Sequence, residues 1–327
     1  MSRRPRARCD AVRAFLSTIL VFASASAFAQ NASTGPERAF PSKAVRIVVP
    51  FPPGGGADTL TRIIEPKLAA IWGQPIIVEN KPGASGHIGA DYVAKSPPDG
   101  YTLLMSSTAS LTEKNVDEFA PVSLVSASAY IVTSNPAVAA ADIRELIALA
   151  KANPGKLTFG SSGTGAASHL SAELFKAMAG VNLLHVPYKG TGQALTDLLA
   201  GHVDLMFAPA QTVMPYVQAG KLKALAVTGS KRSEALPGLP TVAESGLPGY
   251  EAVGWFGLLA PVATPKVTVA KLSADVNRAL NEREVREKMT ALGSDPAGNA
   301  PDEFARFIRE DHAKWSRLMS EAGIAAQ

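Results

Sequence analysis

Short runs of β-branched and apolar residues alternate along the chain with segments in which apolar residues recur every three or four positions. The first pattern predicts buried strands, and the second predicts amphipathic helices packed against them. The predicted strands are residues 45–49, 76–78, 102–106, 157–159, 183–186, 203–207 and 224–227. Helical patterns fill most intervals between these strands, an order typical of mainly parallel sheets with helices on both faces.

Several of the predicted helices have recognisable starts and stops. The helix that follows the first strand has its apolar residues at helical spacing, and we expect Asp58 to cap it. A second strand–helix series begins near Asp142, where Asp142 and Glu145 have a spacing close to that of a capping box. The sequence Asn-Pro-Gly at residues 153–155 then ends that helix.

Two extended segments, residues 122–133 and 251–260, flank the second series, and only helical patterns follow Pro265, at residues 267–292 and 301–322. One lobe inserted into another, with two crossings between them, is typical of binding proteins that close about a hinge. We therefore predict a two-lobed α/β fold in which each lobe is a mainly parallel sheet flanked by helices, and two crossing strands join the lobes. The predicted boundaries are residues 40–130 and 255–327 for lobe 1 and residues 131–254 for lobe 2.

The N-terminus resembles a secretory signal peptide. Residues 1–13 contain five arginines and one aspartate, residues 14–28 are mostly apolar, and Ala27-Phe28-Ala29 offers a small-x-small cleavage site. A membrane anchor is the alternative, but the apolar stretch is short of the ~20 residues that a span requires. We predict that residues 1–29 are removed. No later stretch reaches 18 uninterrupted apolar residues, so we expect no membrane insertion of the mature chain.

Removal of this leader changes the charge and cysteine content. The whole chain has 32 basic and 28 acidic residues, and the leader takes five basic and one acidic residue with it, which leaves 27 of each. The basic excess therefore gives no reason to expect nucleic acid as a partner. Cys9, the only cysteine, also leaves, and it precedes the apolar stretch, so we expect neither a disulfide nor a lipid anchor. A soluble periplasmic location follows.

The loop at residues 50–58 (Pro-Phe-Pro-Pro-Gly-Gly-Gly-Ala-Asp) leads from a strand into a helix. Its glycines allow a ligand to approach the backbone, and a helix N-terminus attracts anions; a tight turn capped by Asp58 is the structural alternative. No Lys-Ser/Thr pair follows the glycines, so a carboxylate fits better than a nucleotide. The candidate ligand-binding residues are Phe51, Pro52, Gly54, Gly55, Gly56 and Asp58.

A second loop, at residues 159–169, has the same design in the other predicted lobe. It is rich in glycine and small hydroxyl residues and also joins a strand to a helix. Because ligands bind at the carboxyl ends of strands in open α/β sheets, the two loops can face one another and hold the two ends of a dicarboxylate. The candidate ligand-binding residues are Ser161, Gly163, Thr164, Gly165, Ser168 and His169.

The sequence offers little support for catalysis, metals or cofactors. Residues 160–163 lack the G-x-S-x-G spacing of a nucleophile elbow, and Ser161 with His169 has no recognisable third triad member. The five histidines show no metal-ligand spacing. We expect no enzyme activity, no metal and no cofactor. We interpret Trp255 and Phe256 as core or hinge packing rather than as a ligand platform.

Several motifs carry a family resemblance across the whole mature chain. They are Phe-Pro-Ser-Lys at residues 40–43, Val-Val-Pro-Phe-Pro-Pro-Gly-Gly-Gly-Ala-Asp at 48–58, Val-Glu-Asn-Lys-Pro-Gly-Ala at 78–84, Ser-Pro-Pro-Asp-Gly-Tyr-Thr at 96–102, Val-Pro-Tyr-Lys-Gly at 186–190, Gly-His-Val-Asp at 201–204, and the leucine, prolines and threonine of residues 236–241. With these motifs the chain resembles the receptor component of tripartite tricarboxylate transporters, the Bug receptor family.

The resemblance implies a periplasmic binding protein of type II that closes two lobes on one small carboxylate. It also implies integral-membrane transporter subunits as partners and adds Ser107, Thr108, Tyr188 and Asp204 to the candidate ligand-binding residues. A receptor that informs a signalling protein is an open alternative, because the same cleft serves either role. A periplasmic hydrolase acting through Ser161 and His169 is the alternative from another class. Nothing in the sequence requires more than a monomer, and the ligand's identity stays open.

Overall fold

The structure, a computed structural model, describes residues 40–112, 114–233 and 236–321. The described residues from Pro41 onward belong to one compact unit. The predicted signal peptide, residues 1–29, lies outside the described residues. Among the residues that are described, no helix is both long and apolar enough to span a membrane.

The described residues contain nine strands. They are β1 (Val45–Val49), β2 (Ile76–Asn80), β3 (Thr102–Ser106), β4 (Phe119–Ser134), β5 (Thr158–Ser161), β6 (Leu184–Pro187), β7 (Leu205–Pro209), β8 (Lys223–Val227) and β9 (Val253–Pro261). The α-helices of the same residues are α1 (Gly56–Trp72), α2 (His87–Ala94), α3 (Ile143–Ala152), α4 (Ala167–Ala179), α5 (Thr191–Ala200), α6 (Ala210–Gln218), α7 (Lys266–Asn281), α8 (Arg283–Ala291) and α9 (Pro301–Glu321).

Each lobe is built on a sheet with a parallel core. In lobe 1, β1 pairs in parallel with β2 and β3, and β3 pairs antiparallel with β9. In lobe 2, β5 pairs in parallel with β6 and β7, while β7 and β8 pair antiparallel with β4. The strand order is β2-β1-β3-β9-β4-β7-β5-β6, with β8 attached to β4. This is the predicted α/β arrangement, with antiparallel strands where the lobes join.

The long strand β4 connects the two sheets. Its first part, from Phe119 to Ala129, pairs antiparallel with β9, and its last part, from Tyr130 to Ser134, pairs with β7. The pairing of β4 with β9 shifts register twice, between Pro121 and Ser123 and again near Ser126. Such bulges bend a strand pair and increase its twist. β4 and β9 are therefore the predicted crossing strands, and we call them the hinge strands.

Two helix starts test the capping predictions. The start of α3 is confirmed, since Asp142 accepts a hydrogen bond from the Glu145 N–H at 2.9 Å and Glu145 accepts one from the Ala141 N–H at 2.7 Å. The prediction that Asp58 caps α1 is wrong. Gly55 is the N-cap residue, and Asp58 lies inside the first turn, where its carboxylate accepts the N–H of Gly54.

One helical segment differs from the sequence prediction. The sequence predicts a helical pattern across residues 267–292, and the structure divides it into two helices. Helices α7 and α8 are separated at Glu282, which has an extended backbone with ψ of 131°. The break turns α8 so that Val285 and Met289 are buried. An amphipathic pattern persists through such a bend because both helices face the same core.

The hydrophobic core of lobe 2 lies on both faces of its sheet. One cluster includes Phe159, Phe175, Phe207 and Tyr250, and another includes Leu195, Met206 and Val213. A cluster in lobe 1 includes Val48, Leu104, Trp255 and Phe304. Helix α9 belongs to both lobes, because Phe304 packs in the lobe 1 cluster and Trp315 packs in a lobe 2 cluster. The C-terminal helix thus joins the two cores.

The packing of α9 on β9 depends on a glycine. A Cβ placed on Gly257 would overlap the ring of Phe304. We predict that Gly257→Ala lowers the free energy of unfolding by about 1–3 kcal/mol, because this core has no room for the added methyl group. Urea denaturation measures the change. Gly238→Ala is the matched control, since no atom lies within 4 Å of the added Cβ there. Equal stability of the two variants would contradict this packing.

Candidate functional site: a cleft between the lobes

A cleft lies between the lobes, at the carboxyl ends of β1, β3, β5, β6 and β7. It encloses about 370 Å³, including space open to solvent. Phe51 and the hinge-strand residues Tyr130 and Phe256 form its aromatic wall. The remaining lining residues are Gly55, Gly56, Ala57, Ser107, Thr108, Ala109, Ser162, Ala166, Ala167, Thr191 and Pro209. None of these lining residues carries a charged side chain, so the cleft offers only neutral groups.

Four helices begin at this cleft: α1 from lobe 1 and α4, α5 and α6 from lobe 2. Their N-cap residues are Gly55, Ala166, Gly190 and Pro209, and none of these makes a side-chain capping hydrogen bond. Glycine, alanine and proline have no side-chain oxygen with which to cap. The first N–H groups of a helix lack intrahelical partners and carry the positive end of the helix dipole. The cleft is therefore a site that favours negative charge without an arginine or lysine.

The first loop is held by Asp58, which is buried beneath it. Its carboxylate accepts hydrogen bonds from the Gly54 N–H at 3.0 Å, from Arg62 Nε at 3.0 and 3.1 Å, and from Asn80 Nδ2 at 3.1 Å. Burial by itself would raise the pKa of Asp58, but the hydrogen bonds from Arg62, Gly54 and Asn80 outweigh it and hold that pKa below its usual value. Asp58 thus shapes the loop and is not among the residues that line the cleft.

The second loop is held by a stacked pair of imidazoles, of which His169 is buried and His185 is half-buried. His169 and His185 stack with ring centroids 4.1 Å apart, and Phe159 stacks against His185 at 4.8 Å. His185 Nε2 lies 2.6 Å from Ser161 Oγ, and His169 Nδ1 accepts a hydrogen bond from the Gly165 N–H at 3.2 Å. Ser168 Oγ accepts the Ser162 N–H at 3.0 Å. These contacts fix the loop that presents Ser162 and the α4 N-terminus to the cleft.

The contact between Ser161 and His185 resembles a nucleophile–base pair, but its setting does not suit catalysis. Ser161 has no exposed surface, and its hydroxyl also bonds the Gly163 carbonyl and N–H at 3.2 Å. Burial, aided by His169 and Lys176, lowers the pKa of His185 to about 4. Burial likewise lowers the pKa of His169. Both imidazoles are therefore neutral near pH 7 and serve as structural supports.

Other predicted residues lie at varying distances from the cleft. Ser107 and Thr108 line it, as expected. Tyr188 lies next to the second loop, but its hydroxyl donates to Asp197 at 2.6 Å, and burial together with that carboxylate raises the pKa of Tyr188 to about 12. Asp204 precedes β7 and accepts hydrogen bonds from the N–H and hydroxyl of Thr158, at the amino ends of the strands. Asp204 therefore lies at the opposite ends of the strands from the cleft, and its prediction as a ligand-binding residue is not supported.

The structure thus gathers only part of the predicted set around the cleft. Phe51, Gly55 and Gly56 line it with Ser107 and Thr108. The remaining predicted residues, Pro52, Gly54, Asp58, Ser161, Gly163, Thr164, Gly165, Ser168, His169 and Tyr188, surround or support this lining. The cleft residues that sequence reasoning missed are chiefly Tyr130, Thr191 and Phe256. Thr191 follows Gly190 at a strand-to-helix junction, and this position in the sequence could have identified it as a cleft residue.

The lobes touch one another across the mouth of the cleft. A Cβ built on Gly190 would lie 2.6 Å from Cδ of Pro52, and one on Gly192 would lie 3.2 Å from the carbonyl oxygen of Pro53. On the other side, Ser85 Oγ lies 3.5 Å from the Thr164 carbonyl oxygen. These contacts between residues of lobe 1 and residues of lobe 2 describe a closed form, in which the first loop lies against the start of α5 and Ser85 lies against the second loop.

Comparison with solved structures shows that the fold of this chain is similar to that of two-lobed periplasmic binding proteins. MatC from Rhodopseudomonas palustris with bound malate has a TM-score of 0.80 and 33% identity over 85% of this chain and 99% of that one. The R. palustris protein Rpa4515 with adipate has a TM-score of 0.84 and 35% identity, covering 88% and 99% of the two chains. The fold is thus that of solved periplasmic binding proteins.

The family itself is shown by sequence. The model of the tripartite tricarboxylate transporter family receptor, TctC, matches residues 60–324. Protein BugT of Bordetella pertussis is 36% identical over 87% of this chain and 90% of that protein. The chain therefore belongs to the tripartite tricarboxylate transporter receptor family, whose members include the Bug proteins. The predicted resemblance is confirmed, and the family is one of solute-binding receptors, not of enzymes.

Metal binding has no visible basis within the part of the chain that the structure describes. No group of three or more His, Cys, Asp or Glu side chains there could hold a metal ion.

The imidazole pair predicts a specific loss of stability in acid. Because the folded-state pKa of His185 is depressed to about 4, the unfolded chain binds more protons between about pH 6.5 and 4, so stability falls as pH falls through this range. We predict that His185→Gln loses less unfolding free energy than the wild type on acidification from pH 7.5 to 5. Urea denaturation at each pH measures it. His87→Gln, in α2, serves as the control and should keep the wild-type slope. Equal slopes for His185→Gln and the wild type would contradict the prediction.

Proposed function

We propose that the protein is a periplasmic receptor that captures a small carboxylate between its lobes and delivers it to a membrane transporter of the tripartite tricarboxylate class. The observation that carries this proposal is the convergence of four uncapped helix N-termini on one uncharged cleft. Hydrogen bonds from N–H groups to a carboxylate are among the stronger hydrogen bonds in proteins. The relatives that bind adipate and malate support the same ligand class.

The distribution of donors suggests how the ligand lies. One carboxylate would bind at the start of α1, near Gly55 and Gly56, and the opposite end would meet the starts of α4 and α5, near Ala167 and Thr191. The aromatic wall of Phe51, Tyr130 and Phe256 would cover the carbon chain between the two ends. Ser107, Thr108 and Ser162 supply hydroxyl groups for further polar substituents.

Such a ligand accounts for closure of the lobes. A ligand shifts the open–closed equilibrium only as far as it binds the closed form more tightly. A carboxylate bound at α1 alone would leave that equilibrium unchanged. A ligand bound at α1 can also contact α4 and α5 only when the lobes approach one another. We propose that lobe 1 comprises residues 40–130 and 255–327 and that lobe 2 comprises residues 131–254. The hinge would then lie where β4 and β9 cross from one lobe to the other. The closed receptor, acting as a monomer, would then be the form that the transporter recognises.

Export and the absence of lipidation are part of the same proposal. The arginine-rich leader and the Ala-Phe-Ala site at residues 27–29 support secretion across the inner membrane. Only a receptor on that side of the membrane can deliver a solute to an importer. N-terminal sequencing of the exported protein tests the cleavage after Ala29.

The ligand class makes a direct prediction for binding. We expect at least one acid among succinate, glutarate, adipate and malate to stabilise the purified protein by about 2.7 kcal/mol at 100 times its dissociation constant. Its neutral diamide should bind about tenfold or more weakly, because hydrogen bonds to a charged group contribute about 1.5–3 kcal/mol each. Thermal unfolding and calorimetric titration measure both. An equal effect of acid and diamide, or no stabilisation by any of the four acids, would reject the proposed ligand class.

The absence of charged side chains in the cleft lining predicts how the receptor discriminates. An ammonium group would find no carboxylate among the lining residues to replace its hydration. We therefore expect aspartate to bind more weakly than malate, which has a hydroxyl group at the same carbon. Competition calorimetry compares the two ligands directly. Tighter binding of aspartate would show that an acidic group outside the lining serves the ligand.

Closure predicts a role for the contact between Pro52 and Gly190. Gly190 has an extended backbone with φ of 164°, which other residues adopt without strain, so an added methyl group acts only through its contact. We predict that Gly190→Ala weakens binding of the acid about tenfold or more while the unfolding free energy of the ligand-free protein stays within about 0.5 kcal/mol. Calorimetry and urea denaturation provide the two measurements. Unchanged affinity would show that the lobes do not close on the ligand in this way; Gly238→Ala is the matched control.

A further inference from the structure

A second cavity lies on the other face of the hinge strands. Side chains alternate between the two faces of a strand. Tyr130 and Phe256 face the ligand cleft, whereas Ala127, Ala129 and Val253 line the cavity behind it. This back cavity encloses about 850 Å³, including space open to solvent, which is more than twice the corresponding volume of the cleft.

The walls of the back cavity come from both lobes. The loop after β8 supplies Gly229, Ser230 and Lys231 from lobe 2, and the segment after α8 supplies Gly293 and Asp295 from lobe 1. The hinge strands form the floor between these walls. A rotation of one lobe relative to the other therefore changes the width of this cavity directly.

The cleft and the back cavity lie on opposite faces of the hinge strands, so a rotation of the lobes changes their widths in opposite directions. On the cleft side the lobes are in contact, with Pro52 against Gly190 and Ser85 against Thr164. A rotation about β4 and β9 that separates those residues must move the loop at residues 229–231 toward residues 293–295. Opening of the cleft by such a rotation would therefore narrow the back cavity.

We propose that the free space of the back cavity sets the balance between the open and closed forms, so that the small residues lining it determine how readily the lobes open. A side chain that fills this space fits the closed form and obstructs the open one. The population of the closed form then rises, and ligand affinity rises with it, because affinity is reduced by whatever fraction of the receptor is not closed. The effect on affinity rests on the proposed receptor function; the effect on the lobes stands without it.

Two substitutions insert bulk into the cavity from different sides. Ser230→Trp adds a ring from an exposed loop position of lobe 2, where folding is least at risk. Val253→Phe adds one from the hinge strand β9 in a residue type that strands favour. Ala148→Trp, on the exposed face of α3 and outside both cavities, is the matched control.

The test measures the distance between the lobes without any ligand. In the full chain with Cys9→Ser, spin labels at Ala70→Cys on α1 and Ala200→Cys on α5 report that distance by electron–electron double resonance. Both positions are exposed. We expect Ser230→Trp and Val253→Phe to shift the distance distribution toward that of the closed form, with Ala148→Trp unchanged. Gly190→Ala should shift it in the opposite direction.

The outcomes separate this proposal from the receptor function. We call Ser230→Trp and Val253→Phe the wedge variants. If the distance distributions of both wedge variants are unchanged, or shift toward greater separation of the lobes, the proposal for the back cavity is wrong whether or not a carboxylate binds. Where an acid from the panel of succinate, glutarate, adipate and malate binds, calorimetry should show its dissociation constant falling about threefold to tenfold in the wedge variants. A dissociation constant that stays constant or rises, with the distances shifted as expected, would overturn the link to affinity alone.

Discussion

The common geometry of the parallel β-α unit governs this molecule. In such a unit the strand ends where the next helix begins, so the carboxyl edge of a sheet collects helix N-termini. Here α1 in lobe 1 and α4, α5 and α6 in lobe 2 all begin at the same cleft. Their N-cap residues, two glycines, an alanine and a proline, leave the first N–H groups without side-chain partners. The positive character of the cleft therefore belongs to the backbone, and no basic side chain lines it.

That arrangement depends on loops held rigidly from behind. Asp58 fixes the first loop through Gly54, Arg62 and Asn80, and the stacked pair His169 and His185 fixes the second. In both loops the ionisable groups lie beneath the ligand-facing surface. Donors that are already oriented lose little entropy when a ligand binds, so this support contributes to affinity although it makes no contact with the ligand.

Much of the fold could be predicted from the sequence. The strands at residues 45–49 and 102–106 and the capping box at Asp142 match the structure, because each is a local pattern of apolar or capping residues. The cap at Asp58 was wrong because three consecutive glycines allow the helix to begin before it. The break at Glu282 was missed since the apolar face continues through the bend.

The cleft lining was harder to predict because it depends on contacts between distant segments. The faces of β4 and β9 that carry Tyr130 and Phe256 are set by register shifts in their pairing, and a shift of one residue exchanges the two faces. Asp204 was misplaced for a related reason, since it lies at the amino end of β7 while Pro209 at the carboxyl end lines the cleft. Sequence patterns identify the loops well but not which of their atoms face the ligand.

We propose that backbone N–H groups of both lobes bind the carboxylate. A crystal structure of the protein with the acid that binds most tightly in calorimetry would show these contacts. We expect carboxylate oxygens about 2.7–2.9 Å from N–H groups at the start of α1 and, at the other end of the ligand, from those at the start of α4 or α5. A ligand whose charged ends contact lysine or arginine side chains, or only one lobe, would contradict it.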